Sequence, residues 1–492
     1  MKNFNKKYLT TIVLITAISF AGNAQTNVSG GIYVNTTWTK ANSPYIVTDT
    51  VVVFPGVTLT IEPGVVVKFA DNQQLEIRQG TLIANGTSTD SITFTSNSSS
   101  PTPGIYAGVY LNGDMTSQLI YCNFYYAAYG LNGAYSNSPV FTVRHCKIMY
   151  NINGISSRTS TNTTILLDSC DIEYNTGQAE DGFNNITNCI ISNNQNGIAN
   201  CRNINNCFVD YNGYGIYYPT GNILNCFIRH NGVGIFHGYS GTINNCVITN
   251  NQNGIRNIES NETITNCVID SNSTGIYIHY NAGLTGNNII QNCDIEYNST
   301  GIDDQNLGLK SFFTKNKIDN DSIGILLVTT IDSFYCNSIC NNFSYGLKYS
   351  YISNTNCVAN NYWCTTDSAT IETLIYDGFD NVSHGIVSFM PLDSVCSPGI
   401  ATSVNEIGKG NLPLNIYPNP AAEFITLELM ANSSKTEIKI FNTLGELMNY
   451  SISTNQKVKI DISNLSDGVY ILEVVSGENI SIQKFIKQKN SR

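Results

Sequence analysis

Cys207-Phe208-Val209-Asp210-Tyr211-Asn212-Gly213-Tyr214-Gly215-Ile216 is one copy of a phrase, Cys-x-Ile/Val-x-x-Asn-x-x-Gly-Ile, that occurs seven times between Cys146 and Ile302. The copies start at Cys146, Cys189, Cys207, Cys226, Cys246, Cys267 and Cys293, and a partial one starts at Cys170. Start-to-start spacings run 24, 19, 18, 19, 20, 21 and 26 residues. A fixed phrase at a period near twenty marks a solenoid, with the variable remainder of each turn taking the insertions. Weaker copies at Cys122–Leu131 and Asn316–Ile325 lengthen the array at both ends.

Within the phrase, alternation places Cys207 and Val209 on one face, and Ile216 and Tyr218 on the inward face of the next strand. A third apolar column precedes each Cys by three residues: Ile186, Ile204, Ile223, Ile243, Ile264 and Ile290. Asn212 and Gly215 are expected to turn the chain, Gly through positive φ and Asn through bonds to neighbouring backbone. Stacked at the roughly 4.8 Å spacing of paired strands, the turns form ladders of Cys, Ile and Asn, which is a parallel β-helix. The Asn ladder reads as scaffold.

Composition agrees. Only 12% of the 492 residues are charged, while Asn reaches 67 and Gly 39. Helix signals are almost absent, and β-branched runs such as Val51–Val53 and Val65–Val67 are bounded by Gly or Pro. A net charge of −11 offers nucleic acid or anionic lipid no basic surface. At the start, Lys2, Lys6 and Lys7 precede the apolar stretch Leu9–Phe20, and small residues lead to a signal-peptide junction between Ala24 and Gln25. No later run has the length of a membrane span.

Fifteen Cys in an exported chain would suggest disulfides. Cys at one phase of successive turns point in parallel, so most are expected as buried free thiols. The off-phase residues are the disulfide candidates: Cys201 with Cys207, Cys336 with Cys340, and Cys357, Cys364 and Cys396.

Two resemblances follow from motifs. Val57-Thr58-Leu59-Thr60-Ile61-Glu62-Pro63-Gly64, Gly80–Thr87 and Ile92–Thr95 resemble the opening coils of exported right-handed parallel β-helix proteins. Tyr106-Ala107-Gly108-Val109 stands where that family usually has Trp-Gly-Gly-Ile. Asn360-Asn361-Tyr362-Trp363 and Ile375-Tyr376-Asp377-Gly378 resemble its closing coil, with Cys364 where Gly is usual, so the likeness spans roughly 30–395. After Cys396 the composition changes. Tyr417-Pro418-Asn419-Pro420, Phe441-Asn442-Thr443-Leu444-Gly445-Glu446 and Leu465-Ser466-Asp467-Gly468-Val469-Tyr470 resemble the carboxy-terminal sorting domain of the type IX secretion system of Bacteroidetes. That resemblance implies a small Ig-like β-sandwich that engages the secretion machinery and is then removed. The expected organisation is a signal peptide over 1–24, cap and first coils over 25–120, helix repeats over 121–395, a linker over 396–411 and the sorting domain over 412–492.

Function is expected on outward columns and loops. One column lies three residues after each Cys: Glu173, Ser192, Asp210, Arg229, Thr249, Asp270 and Glu296. Beside it run Tyr150, Tyr174, Asn193, Tyr211, His230, Asn250, Ser271 and Tyr297. Acids beside aromatic rings suit sugars, since rings stack on pyranose faces while carboxylates bond hydroxyls or hold calcium. Glu173, Tyr174, Tyr211, Glu296 and Tyr297 are the ligand-binding candidates. Ile190, Phe208, Phe227, Val247 and Val268, just after the Cys, form an outward apolar stripe of about 19 Å at strand spacing. A covering loop or a partner would sit on it.

The expected role is a noncatalytic surface adhesin or carbohydrate-binding stalk, its partners glycans or a surface protein. The alternative is a polysaccharide lyase. A lyase acting on uronates needs charge neutralisation, by calcium or a cationic side chain, and a base. Asp210, Arg229, His230 and Asp270 are the catalytic candidates for that reading.

Overall fold

A computed structural model describes residues 25–392 apart from 113–115, 134–139, 158–163, 183–184, 237–240, 257–260, 279–286, 306–309, 329–332 and 352–355, and most of 414–487. The expected signal segment, including Ala24, lies outside the described residues, as do Cys396, Pro418, Asn419 and Pro420.

Every turn of the repeat lays down three short strands. In the turn carrying the quoted phrase they are Asn203–Asn205, Phe208–Asp210 and Tyr214–Tyr217. The first belongs to a 14-stranded parallel sheet. The other two lie in a 29-stranded assembly whose two ribbons are joined by Tyr45–Val53, a strand long enough to pair in both. The result is a right-handed parallel β-solenoid.

Its core is three apolar columns in register. Val209 pairs with Ile228, then Ile248, Ile269 and Ile295. Ile216 pairs with Ile235, Ile255, Ile276 and Ile302. Ile204 pairs with Ile223, Ile243, Ile264 and Ile290. All are buried. Apolar side chains stacked at strand spacing pack the interior, and burial of each Ile contributes about 1.5–3 kcal/mol. Turn length varies at one corner: five residues separate Tyr214–Tyr217 from Ile223–Leu224, and eight separate Thr274–Ile278 from Asn287–Gln291.

The Asn ladder satisfies a buried corner. Asn212 Nδ2 donates to Asn231 Oδ1 at 3.1 Å and to the carbonyls of Ile191 and Asp210 at 3.1 and 3.0 Å. Asn231 Oδ1 also accepts the Asn212 backbone N–H at 2.9 Å. The same side-chain links run from Asn151 to Asn298 and on to Asp321, whose backbone N–H in turn donates to Asn342 Oδ1 at 3.0 Å. At the Cys corner the thiols copy this pattern with weaker partners. Cys146 Sγ faces the carbonyls of Arg144 and Leu119 at 3.2 and 3.4 Å and lies 3.3 Å from the Cys122 N–H. Asn316, Asn337 and Asn361 then replace the thiols with a second amide ladder.

Three expectations need correction. The repeat's Gly is not required for positive φ. Left-handed backbone falls instead on Asn206, just before the Cys, at φ 59°, and on Tyr211, just before the ladder Asn, at φ 52°. A Cβ on Gly215 would stand 2.6 Å from the Gly234 carbonyl oxygen, so Gly is there for close approach. Tyr218 does not point inward: it sits at φ 49° after the strand has ended, half-buried among other rings. Third, Cys201 and Cys207 are buried thiols not bridged to each other, and Cys340 pairs with Cys364 rather than Cys336, with Cα atoms 5.5 Å apart. Cys336 is disulfide-bonded in its own right. Cys364 holds φ 61°, the conformation for which Gly is usual, and Cys357 is free and exposed.

Beyond the helix, Leu414–Tyr417, Phe424–Leu429 and Lys457–Asp461 form one antiparallel sheet. Thr436–Asn442, Leu447–Ser453, Gly468–Ser476 and Asn479–Lys487 form a second. Ile425, Leu427, Ile438, Ile440, Leu472 and Phe485 are buried between them, as in a small sandwich.

Candidate functional site

The column read from the sequence exists as a straight line. Glu173, Ser192, Asp210, Arg229, Thr249, Asp270 and Glu296 are register partners on seven successive strands. Adjacent rungs therefore bring together residues 18 to 26 apart, and Asp210 meets Arg229, nineteen residues on, for that reason.

Asp210 is buried and engaged at both oxygens: Oδ2 lies 3.0 Å from Arg229 Nε and Oδ1 lies 3.0 Å from His230 Nδ1. The Arg229 guanidinium also lies 4.5 Å from the centre of the Phe208 ring. His230 stacks on Tyr211, with centroids 4.6 Å apart and planes 9° from parallel. Arg229 is thus held between Asp210 and the Phe208 ring, and His230 between Asp210 and the Tyr211 ring, which fixes both side chains. On the preceding rung Ser192 donates to Glu173, whose carboxyl is pushed up by burial.

Asp270 does not join this cluster. Arg229 and Thr249 stand between it and Asp210, three rungs or about 14 Å at strand spacing. It belongs with Glu296, and Lys317 holds Glu296 at 2.6 Å. Burial first, and Glu296 second, push the Asp270 carboxyl up. Among the described residues no three His, Cys, Asp or Glu side chains converge to hold a metal ion.

The aromatic candidates occupy the left-handed corner next to the column. Tyr174, Tyr211 and Tyr297 have φ of 56°, 52° and 57° and are 46%, 57% and 57% exposed. Tyr174 stacks on Tyr150 at 5.5 Å, and Tyr150 on Tyr126 at 6.0 Å. Each candidate Tyr directly follows a column acid, giving Glu173-Tyr174, Asp210-Tyr211 and Glu296-Tyr297. The first two pairs lie two rungs apart, and the third lies four rungs beyond the second.

The apolar stripe does face outward, with Ile190 exposed and Phe208, Phe227, Val247 and Val268 half-buried. Ile190, Phe208 and Phe227 floor a cleft of about 390 Å³ that Glu173, Asp210, Tyr211 and Arg229 also line. Its opposite wall is Lys439, Phe441, Ile471 and Glu473 of the C-terminal sandwich. The cover expected over the stripe is supplied there by the chain's own last module.

Tyr470 is buried in that module and donates its hydroxyl to the Ser466 carbonyl at 3.0 Å, a tyrosine corner of the kind found in Ig-like sandwiches. Residues 415–488 match the family described as Secretion system C-terminal sorting domain. The module is a type IX secretion sorting domain. A chain carrying it is exported through that machinery, to the cell surface or beyond. Among the described residues no helix is long and apolar enough to cross a membrane. Residues 30–144 match the family described as Pectate-lyase like beta helix domain. No curated protein matches the sequence.

Solved structures with similar winding include the A-module of a mannuronan C-5 epimerase from Azotobacter vinelandii, 13% identical over 70% of this chain and 90% of that one, TM-score 0.28. An alginate lyase from Paenibacillus is 13% identical over 69% of this chain and 93% of its own, TM-score 0.22. The tailspike protein of E. coli bacteriophage HK620, solved with a hexasaccharide, is 10% identical over 94% and 87%, TM-score 0.31.

Two features escaped the sequence reading. One is the bracing of Arg229 by Phe208, a diagonal contact between strands rather than a direct register pair. The other is a second outward column on the neighbouring ribbon, where Tyr217, Phe236, Arg256 and Tyr277 are successive register partners. Its signal was the residue just after each repeat Ile, one place short of the mis-assigned Tyr218.

Proposed function

We propose that the β-helix is a noncatalytic carbohydrate-binding stalk, an adhesin carried to the cell surface or released by its sorting domain. The observation that carries this reading is the trio Glu173-Tyr174, Asp210-Tyr211 and Glu296-Tyr297. At the same corner other turns use Asn193 and Asn250, at φ 56° in both. Asn tolerates left-handed backbone, and a bulky ring there costs about 1–2 kcal/mol. Large rings kept exposed at a strained corner, each beside an acid, suit recognition of pyranose faces and hydroxyls.

Of the four catalytic candidates, Asp210, Arg229 and His230 meet, while Asp270 does not. Both Asp210 oxygens are engaged and Asp270 stands three rungs away, so a lyase reading would rest on His230 and Arg229 alone. Retention of the full chain on immobilised glycans tests the reading. Tyr174→Ala, Tyr211→Ala and Tyr297→Ala together should lower retention at least about tenfold, since stacked rings contribute about 0.5–1.5 kcal/mol each. Unchanged retention would remove the reading.

A further inference from the structure

Two outward apolar surfaces of one chain meet across the cleft that Ile190, Phe208 and Phe227 floor. Those three residues stand on successive rungs of the β-helix, in direct register. The facing wall belongs to the four-stranded sheet of the sorting domain. Alternation along its strands sends Ile438, Ile440, Leu472 and Val474 into the module's core. It sends Lys439, Phe441, Ile471 and Glu473 to the outer face, and these four line the cleft. Phe441 and Ile471 are register partners on adjacent strands. A ring and a branched side chain paired on the outer face contribute nothing to the sandwich's own core, and such apolar surface marks a contact site.

The charges on both walls are neutralised within their own module. Lys439 Nζ lies 2.7 Å from Glu473 Oε1, and Arg229 Nε lies 3.0 Å from Asp210 Oδ2. Ions already paired cost less to cover than lone ones, so two modules of a chain with net charge −11 meet there without facing acid against acid. The sorting domain's outer face also carries an internal contrast. Tyr450 and Ile452 lie opposite Lys439 and Glu437 and so share that face, but they stand outside the cleft and are 48% and 49% exposed. Phe441 and Ile471, inside it, are half-buried.

We infer that the sorting domain docks on its own β-helix, Phe441 and Ile471 against Phe208 and Phe227, and covers this part of the apolar stripe until the domain is released. The stripe then becomes an apolar surface open to a partner. Address and cover leave together, so delivery and exposure of the stripe are one event. The inference does not rest on glycan binding: Tyr174 and Tyr211 stay 46% and 57% exposed with the domain in place.

The test uses the full chain with a protease site inserted within 396–411, folded first and then cut. Titration of the two parts should give a Kd below about 1 mM, the effective concentration that a short flexible linker supplies and that docking within the chain must match. Phe441→Asp and Phe227→Asp should each raise that Kd at least about tenfold, as loss of a buried aromatic anchor does. Tyr450→Asp, on the same sheet but outside the cleft, should leave it unchanged. In the uncut chain, Phe441→Asp and Phe227→Asp should each increase the fluorescence of an apolar dye while the thermal midpoints stay at wild-type values. The two substitutions sit in different modules, so a folding defect in one leaves the other as the test. No association of the wild-type parts up to about 1 mM, association that survives both cleft substitutions, or an equal loss from Tyr450→Asp would overturn the docking. Association without any dye gain on release would overturn the cover. Glycan retention is read separately, and its loss would leave the docking result standing.

Discussion

Asp321 occupies a position that the eight preceding rungs of its ladder fill with Asn, and replacing it should change how stability depends on pH. Its Oδ1 does what an amide oxygen does, accepting from the Asn298 backbone N–H at 2.7 Å and from Asn298 Nδ2 at 3.0 Å. Its Oδ2 takes the place of the amide nitrogen, which on the Asn298 rung donates to two carbonyls and the next ladder oxygen. An ionised oxygen has nothing to donate there, and Oδ2 is buried without a hydrogen-bond partner. Burial pushes this carboxyl from 3.8 up to about 8, with Asp319 and Glu296 adding repulsion. The folded state therefore holds the proton more tightly than the unfolded chain. Its stabilising contribution is fully present below about pH 4 and is lost as pH rises to about 8. At about 1.36 kcal/mol per pH unit the whole window amounts to about 5 kcal/mol. Asp321→Asn supplies a permanent donor and should flatten this slope, leaving the variant more stable than wild type at pH 8. Amide exchange at Asn298, followed from pH 4.5 to 8.5 after correction for intrinsic rates, reads the effect locally. Parallel pH slopes in the two proteins, or a variant less protected at pH 8, would refute the reasoning.

Asn251→Ala removes a donor to three acceptors in the middle of the same ladder and leaves the Asn231 amide without its oxygen. The expected loss is about 3 kcal/mol or more, read as a lower unfolding midpoint with earlier exchange on neighbouring rungs. Cys340→Ser, paired with Cys364→Ser, opens a loop of 24 residues near the end of the helix and should cost about 3 kcal/mol. Native-state alkylation should meanwhile modify Cys357 and spare Cys189 and Cys201, whose burial pushes their thiols well up. Rapid labelling of those two would contradict the packed core.

Much of this architecture is legible because one period governs it. Residues one turn apart, 18 to 26 positions along the chain, become neighbours, so the Ile columns, the Asn ladder and the meeting of Asp210 with Arg229 follow from counting. The same count separates the true bridge from the expected one: Cys340 and Cys364 are one turn apart, whereas Cys336 and Cys340 share a turn and diverge along it. What did not follow from spacing was local backbone. The phrase contains both a Gly and a corner, but the corner's left-handed residue is the one before each Asn. The Gly instead clears room for the next turn's carbonyl. That displacement also explains why exposed tyrosines at Tyr174, Tyr211 and Tyr297 mean more than their sequence neighbourhood suggests. The column of Tyr217, Phe236, Arg256 and Tyr277 was hidden by placing Tyr218 inside, which leaves Tyr217 on a face with no evident partner.

The central claim is binding without turnover on a surface-delivered helix. Incubating the full chain with polygalacturonate, with and without calcium, and following both retention and the ultraviolet absorbance of unsaturated sugar ends, tests it most directly. The account predicts retention with no absorbance gain. An absorbance gain abolished by Arg229→Ala would contradict it and establish a lyase at the Asp210 cluster.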